Sequence, residues 1–272
     1  MQSLEDKIPL SIFIICKNEA HIIEDTLRQA VKLADEIILV DSGSIDATVD
    51  IAKQYATKIY TQEWLGYAKQ KNYALSLCKH KWVLSLDADE VLTDRLIEEI
   101  KNLFESGQHK KSLGFKIPRR LFIGKQLVKY GGFYPDYQLR LFEKGFGRFQ
   151  DLPVHESVEL WDETRQDYVT KNSFTDILIK FFNPKLKRKI IRNLNYPLDH
   201  YSYNSIEELE AAFMNYARLS NKKASSIFAS LKAAYAFFYK YFIRAGILDG
   251  SLGLQLAFIN AKYTYSKYKR SD

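Results

Sequence analysis

Four apolar runs separated by helical periodicities fill the first hundred residues, and this alternation constrains the fold more than any other feature of the chain. Leu10–Cys16, Glu36–Val40, Thr57–Thr61 and Trp82–Leu86 are short and apolar. Runs of this kind suit strands buried on both faces of a parallel sheet. Between them, Glu19–Ala34 carries Ile23, Leu27, Val31 and Ala34 at helical spacing. A short helix runs on to Tyr55, and Gly66–Cys78 reads as a helix with Ala74, Leu75 and Cys78 inward. Thr93–Phe104 reads as another helix, with Thr93 or Asp94 as N-cap. Strand–helix alternation with short loops predicts an α/β fold, a parallel sheet covered by helices.

In such sheets ligands bind beyond the carboxyl ends of the strands. Three of the four strands end in polar clusters: Lys17-Asn18-Glu19, Asp41-Ser42-Gly43 and Asp87-Ala88-Asp89. They are expected to lie side by side on one rim. The last belongs to WVLSLDADEVL, where Asp87, Asp89 and Glu90 crowd the end of a buried strand. Two aspartates at i and i+2, where a strand frays, can face a common ligand. Hard oxygens so placed suit Mg²⁺ or Mn²⁺, which share their shell with phosphate. Asp-x-Asp by itself is common and reads equally as a solvated acidic loop; its place on the rim favours the ligand reading.

From about residue 113 the texture changes. Leu113–Ile123, Gln138–Glu143 and Val154–Leu160 look like strands joined by glycine-bearing turns, and from residue 200 the chain is helical. Ser205-Ile206-Glu207-Glu208 is a capping-box sequence. Cys16 and Cys78 fit two buried thiols in a reducing compartment, and no Cys or His pair has zinc-site spacing. The first apolar run is broken by Pro9 and Ser11 and follows Glu5, Asp6 and Lys7, so it is not read as a signal peptide. No run of apolar residues approaches a membrane span.

The segments SIFIICKNEAHIIEDTL, EIILVDSGSIDATVDIA, GYAKQKNYAL and WVLSLDADEVL occur in that order with short spacings. Together they resemble the nucleotide-sugar-binding half of family 2 glycosyltransferases, which have the GT-A fold. GGFYPDYQLRLFEKG, LPVHESVEL, LDHYSYNS and RAGILDGSLGLQLAFINAKYTYSKY resemble, within that family, the bacterial branch of lipooligosaccharide and lipopolysaccharide core β-1,4-glucosyltransferases. The similarity spans about residues 10–270, with 161–198 unmatched. It implies a Rossmann-like mixed sheet flanked by helices in residues 1–198. Within it, 1–110 form the nucleotide-sugar half and 111–198 the acceptor half, followed by a helical C-terminal extension over 199–272.

The resemblance also implies roles. Asp41, with Ser42 and Gly43, binds uracil or ribose, the alternative for Asp41 being a turn or cap residue. Asp87 contacts ribose, Asp89 binds Mg²⁺ or Mn²⁺, and Glu90 supports them. Asn18 and Glu19, on the same rim, join the donor site. Gly66–Asn72 resembles a segment lying against the nucleotide, so Lys69 or Lys71 meets diphosphate and Gln70 the base. Arg140 meets diphosphate or pairs with a nearby acid. His200 resembles a C-terminal metal ligand, a neutral imidazole beside Asp89 being chemically suitable. Inverting transfer needs one carboxylate to take the acceptor proton. Glu156 is the preferred base, with Asp136 second and His155 as an orienting neighbour. No clean Glu-Asp pair and no QxxRW run of the kind processive synthases carry is present, which argues against a polymerase.

The expected activity is therefore metal-dependent inverting transfer of a hexose, by analogy glucose, from a UDP-sugar to a cell-envelope glycan or glycolipid. A capsular, lipid-phosphate or protein acceptor is the near alternative. Sugar-phosphate nucleotidyl transfer is disfavoured, because Lys17-Asn18-Glu19 replaces the glycine-rich basic loop it needs. Charge is uneven: residues 1–160 hold 22 Lys and Arg against 23 Asp and Glu, and residues 161–272 hold 18 against 10. The pI of 9.1 thus belongs to the C-terminal part, away from the rim, and no nucleic-acid recognition motif accompanies it. There Phe228, Leu231, Tyr235, Phe238 and Phe242 form a stripe near Lys232, Lys240 and Arg244. Such a stripe either packs on the domain or meets the anionic cytoplasmic face of the inner membrane, where a lipid-linked acceptor lies. The expected location is cytoplasmic, with peripheral membrane contact.

Overall fold

The computed structural model describes residues 7–150, 157–162, 167–169, 190–218 and 224–269. Its elements, in chain order, begin with β1 (Ile8–Cys16), α1 (Ile23–Ala30), β2 (Ala34–Asp41), α2 (Thr48–Ala52) and β3 (Lys58–Thr61). Next come α3 (Tyr67–Leu77), β4 (Trp82–Asp87), β5 (Glu90–Leu92), α4 (Asp94–Glu105), β6 (Ser112–Ile123) and β7 (Gln126–Leu127). β8 (Asp136–Glu143), β9 (Gly147–Gln150), β10 (Ser157–Asp162), β11 (Asp167–Val169), β12 (Ile190–Asn193) and β13 (Leu198–Tyr203) follow. The chain ends in α5 (Ile206–Arg218), α6 (Ser226–Phe238) and α7 (Gly250–Tyr268). Two compact units result: residues 1–118 with 137–198, and residues 119–136 with 199–272.

In the first unit the strand order is β3-β2-β1-β4-β8-β6, with β12 beside β6. The first four strands are parallel, and β8 joins β4 antiparallel. The apolar runs divide by parity, because successive side chains leave a strand on opposite faces. Leu10, Ile12 and Ile14 of β1 pack with Ile37, Leu39, Leu84 and the inner residues of α1 and α4. Phe13 and Ile15 pack on the other face with Ile38, Val40, Val83 and Ala74 of α3, together with Phe149 and Val158. Both faces are therefore covered, as uninterrupted apolar runs require. Thr93 caps α4, its Oγ1 accepting from the Leu96 N–H at 3.3 Å and donating to the Pro197 carbonyl at 2.7 Å.

The Glu19–Ala34 helical pattern contracts to α1. Lys17 to Glu19 instead form a loop, with Asn18 in the left-handed region at φ 57°. Both cysteines are free and buried; burial pushes the Cys78 thiol up to about 12. β9, which no pattern marked, is pinned by Asn72, whose amide donates to the Phe149 carbonyl and accepts from its N–H, both at 2.9 Å.

The second unit has its own core: Ile123 and Val128 packed with Leu209 of α5 and Leu252, Leu256 and Ile259 of α7. Ser205 caps α5 by accepting from the Glu208 N–H at 3.3 Å, and the Glu208 carboxylate reaches back to the Asn204 N–H at 2.8 Å. The return is one residue earlier than a standard capping box. At Gly253 a Cβ would lie 1.8 Å from the Gly246 carbonyl oxygen, so only glycine lets α7 close on the turn before it. The aromatic stripe of α6 does not pack into this core: Leu231, Tyr235 and Phe238 are 66%, 65% and 58% exposed.

Candidate active site

The strand register builds the rim. β1 lies between β2 and β4, with Cys16 opposite Asp41 and Ile15 opposite Asp87. The three polar clusters thus leave the sheet from adjacent parallel strands at one level, the crevice where open α/β sheets bind ligands.

The loops after β1 and β2 are stitched together. The N–H groups of Asn18, Glu19 and Ala20 donate to Ser44 Oγ (2.8 Å), Thr48 Oγ1 (2.8 Å) and Asp46 Oδ2 (3.1 Å). The Asn18 side chain returns one bond, accepting from the Ile45 N–H at 2.9 Å. Asp41 is buried and folds its own turn, accepting from the N–H groups of Gly43 and Ser44 at 3.0 Å and from Ser44 Oγ at 2.5 Å. That is Asx-turn chemistry, the cap-like alternative noted for this residue. Burial first, then the Asp41 carboxylate beside it, raises the Cys16 thiol far above its ordinary value. Gln70 is fully buried and donates to Ser42 Oγ at 3.0 Å and to the Gln62 carbonyl at 3.2 Å. It fixes Ser42 from below, while Lys69 points outward on the same helix. Ser44, Asp46 and Thr48 carry much of this architecture and were not singled out from sequence. The Asp-x-Thr spacing just before a helix, a capping pattern, was the available signal.

At the end of β4 the crowding of acids is resolved by two cations. Arg140, on β8, reaches Asp87 and Glu90, each at 2.5 Å. Lys71, on α3, reaches the other oxygen of Asp87 at 2.7 Å. Glu90 is fully buried and also accepts from the Asp87 N–H at 3.1 Å. Burial opposes the charge on Arg140, but Asp87 and Glu90 outweigh it and hold the guanidinium firmly protonated. Asp87, Glu90, Lys71 and Arg140 are thus one buried ion cluster, in which Lys71 and Arg140 bind carboxylates.

Asp89 stands differently. It is half-buried at the tip of the turn between β4 and β5. Its charge acts on Glu19 across the rim. Burial, then Asp89, then Asp46 raise the Glu19 carboxyl to about 7. Two carboxylates facing each other at a strand end form an all-oxygen donor set of the kind hard divalent cations favour. No group of three or more His, Cys, Asp or Glu arranged around a common metal position occurs among the described residues.

The remaining candidates belong to other segments of the chain. Asp136 is held by Arg119, whose Nε and terminal nitrogen both donate to one carboxylate oxygen at 3.0 and 2.6 Å. His200 is half-buried on β13 and bonds Ser202. Glu156 and His155 lie outside the described residues.

Comparisons with known proteins bear on this rim. The model of "Glycosyl transferase family 2" matches residues 11–122, which hold all three loops. An uncharacterized glycosyltransferase of Rickettsia bellii is 33% identical over 249 residues, covering 89% of this chain and 78% of that protein. The lipopolysaccharide core biosynthesis glycosyltransferase LpsC of Rhizobium meliloti is 34% identical over 163 residues, 56% of this chain and 57% of its own. Among solved structures, S. aureus TarS 1–349 in complex with UDP-GlcNAc aligns over 95% of this chain and 81% of its own, with 16% identity and a TM-score of 0.46. With a mixed, mostly parallel sheet, helices on both faces and a helical C-terminal segment, the chain belongs to glycosyltransferase family 2.

Proposed function

We propose that the chain transfers a hexose, by analogy glucose, from a UDP-sugar to a hydroxyl of a cell-envelope glycan such as a lipopolysaccharide core, with inversion. The observation that carries this reading is the rim itself: three polar loops leaving adjacent parallel strands, with the β4 acids sorted into a neutralised cluster and an outer Asp89. Support for the acceptor comes from the relative named for lipopolysaccharide core biosynthesis.

On this reading Asp89, with Glu19 opposite, holds Mg²⁺ or Mn²⁺. A bound divalent ion would offset the charge that develops on departing UDP. The stitched loops set the donor's floor: Asn18, Ser42 and Gly43 offer backbone and side-chain groups, and Asp41 keeps their turn in shape. Gln70 acts through Ser42. Asp87 presents its edge to the ribose while Lys71 and Arg140 hold it in place. Lys69, exposed on α3, is read as the lysine that meets diphosphate, since Lys71 is engaged by Asp87. Glu156 takes the proton from the acceptor hydroxyl as it attacks the anomeric carbon; Asp136 is less suited, since Arg119 already holds one of its oxygens.

Calorimetry of UDP with and without Mn²⁺, on wild type and Asp89→Ala, tests the donor half. Binding that requires metal and is lost in the variant supports it; no UDP binding in either condition overturns the transferase reading. Screening UDP-sugars for hydrolysis then names the donor. Glu156→Gln should remove turnover while UDP affinity stays, whereas Asp136→Asn should leave turnover measurable.

A further inference from the structure

α6 is amphipathic in the wrong sense for a helix on a water-facing surface. Its small residues turn inward, Ala229 being fully buried and Ala233 and Ala236 half-buried. Its large ones turn outward: Ile227, Leu231, Tyr235, Phe238 and Phe242 recur at spacings of three and four and occupy one face. A π-helical turn at Tyr239–Ile243 follows, closed by the Arg244 N–H donating to the Tyr239 carbonyl at 2.8 Å. It carries the apolar surface onto Ile243, 73% exposed, and the turn beyond adds Ile247 and Leu248.

A patch this long exceeds what soluble monomers ordinarily leave open. Its charge is one-sided. Residues 224–269 contain Lys232, Lys240, Arg244, Lys267 and Lys269, besides Lys262, which pairs with Glu210 of α5, against one acid, Asp249, and that acid is used internally. Asp249 accepts from the N–H groups of Lys129 and Tyr130 at 3.1 and 2.8 Å. Lys232 flanks the patch, lying over the Phe228 ring at 5.4 Å. No single helix here is long and apolar enough to cross a membrane; Ser226–Ile243 and Gly246–Tyr268 pass such a test only as a pair bent by 71°. An apolar face edged by cations, on helices none of which passes that test singly, is the pattern of an element lying in the membrane interface. There the lysine and arginine stems extend to the headgroups.

We infer that the outer face of α6, its π-turn and the Ile247–Leu248 tip seat this unit in the surface of a bilayer with anionic headgroups. A second consequence rests on the transferase reading. The Gly131 N–H donates to the Arg244 carbonyl at 2.9 Å, so the 128–135 loop, part of the segment read from sequence as the acceptor half, is fastened to the membrane-seated turn.

The test is cosedimentation of the full chain, without donor or metal, with vesicles of phosphatidylcholine alone or mixed with phosphatidylglycerol. Binding should need the anionic lipid and weaken with salt. Leu231→Glu with Phe238→Glu should reduce it by about tenfold or more for each side chain. The charge-matched Lys53→Glu, at an exposed site in the other unit, should leave it unchanged. A Phe238→Trp variant, checked for wild-type circular dichroism, should be quenched by lipids brominated in their acyl chains. Absence of binding, equal loss in Lys53→Glu, or no quenching would overturn the inference. So would a dimer, seen by light scattering and abolished by the two glutamates, that leaves vesicles unbound. Because UDP binding is not part of the assay, failure here leaves the donor site standing, and the reverse.

Discussion

The rim after β4 and the outer face of α6 solve opposite problems. At the rim, charges that are expensive to bury sit at the end of a core strand, and they are compensated within the chain: Arg140 between Asp87 and Glu90, Lys71 on the far oxygen of Asp87. On α6, side chains that gain from burial, roughly 1.5–3 kcal/mol each when fully buried, stand in water while alanines occupy the inner face. In the first arrangement the charges find their partners within the chain. The second leaves its apolar side chains exposed, and on the inference drawn above a bilayer covers them.

The sharpest way to break this contrast is to remove the rim's central cation. Arg140→Met removes the guanidinium from Asp87 and from the fully buried Glu90. Breaking a buried pair from one side should cost about 3–5 kcal/mol of unfolding free energy in urea. Adding Glu90→Leu should return part of that, since removing both members together is far less costly. A loss under about 1 kcal/mol for Arg140→Met would mean that the acids are not held as described.

The parallel core was legible because β1, β2 and β4 are apolar at nearly every position, which only a strand covered on both faces tolerates. Their register then followed, and with it the meeting of three loops on one rim. Pairing of individual charges was not legible. Lys71 and Arg140 lie 16 and 53 residues from Asp87 in sequence, and nothing local says whether a lysine on a helix meets a carboxylate or a phosphate. Asp41 is similar: its role in its own turn depends on Ser44 and on a backbone that only the folded loop defines. For α6 the periodicity gave a stripe but not its direction, because an apolar stripe looks the same whether it faces a core or a lipid. The alanines opposite decide it, and they are neutral to any pattern of hydrophobicity.

A smaller effect tests how firmly the rim is anchored. Asn72→Ala removes both bonds to the Phe149 backbone and leaves a buried N–H and C=O unpaired. About 2 kcal/mol should be lost, read as a lower urea midpoint with unchanged slope.

Next in size is a pH effect at Glu19. Its carboxyl is raised in the folded chain from 4.5 to about 7, so the native state binds the proton more tightly than the unfolded state does. Stability is therefore full below about pH 4.5 and falls as pH rises toward about 7. Glu19→Gln, measured with EDTA present, should be more stable than wild type above pH 7 and no different below the lower value. The gain should be of order 1 kcal/mol, after allowing for solvent screening at a half-buried carboxylate. Equal stability at both ends of the range would show that neither burial nor the Asp89 and Asp46 carboxylates press on Glu19.

The smallest expected effect is the one that most directly separates the two regions. Phe238→Ser deletes a large aromatic side chain, and in a core such a change would cost about 3–5 kcal/mol, as expected for Phe142→Ala beneath the sheet. On α6 the ring is 58% exposed and touches Phe237 and Phe242 of its own helix and π-turn. The unfolding free energy in lipid-free buffer should therefore move by no more than about 0.5 kcal/mol. A loss of several kcal/mol would place Phe238 in a packed core and remove the contrast. A negligible change, joined to a fall in vesicle binding, would mean that this side chain contributes to a surface the protein completes only against another medium.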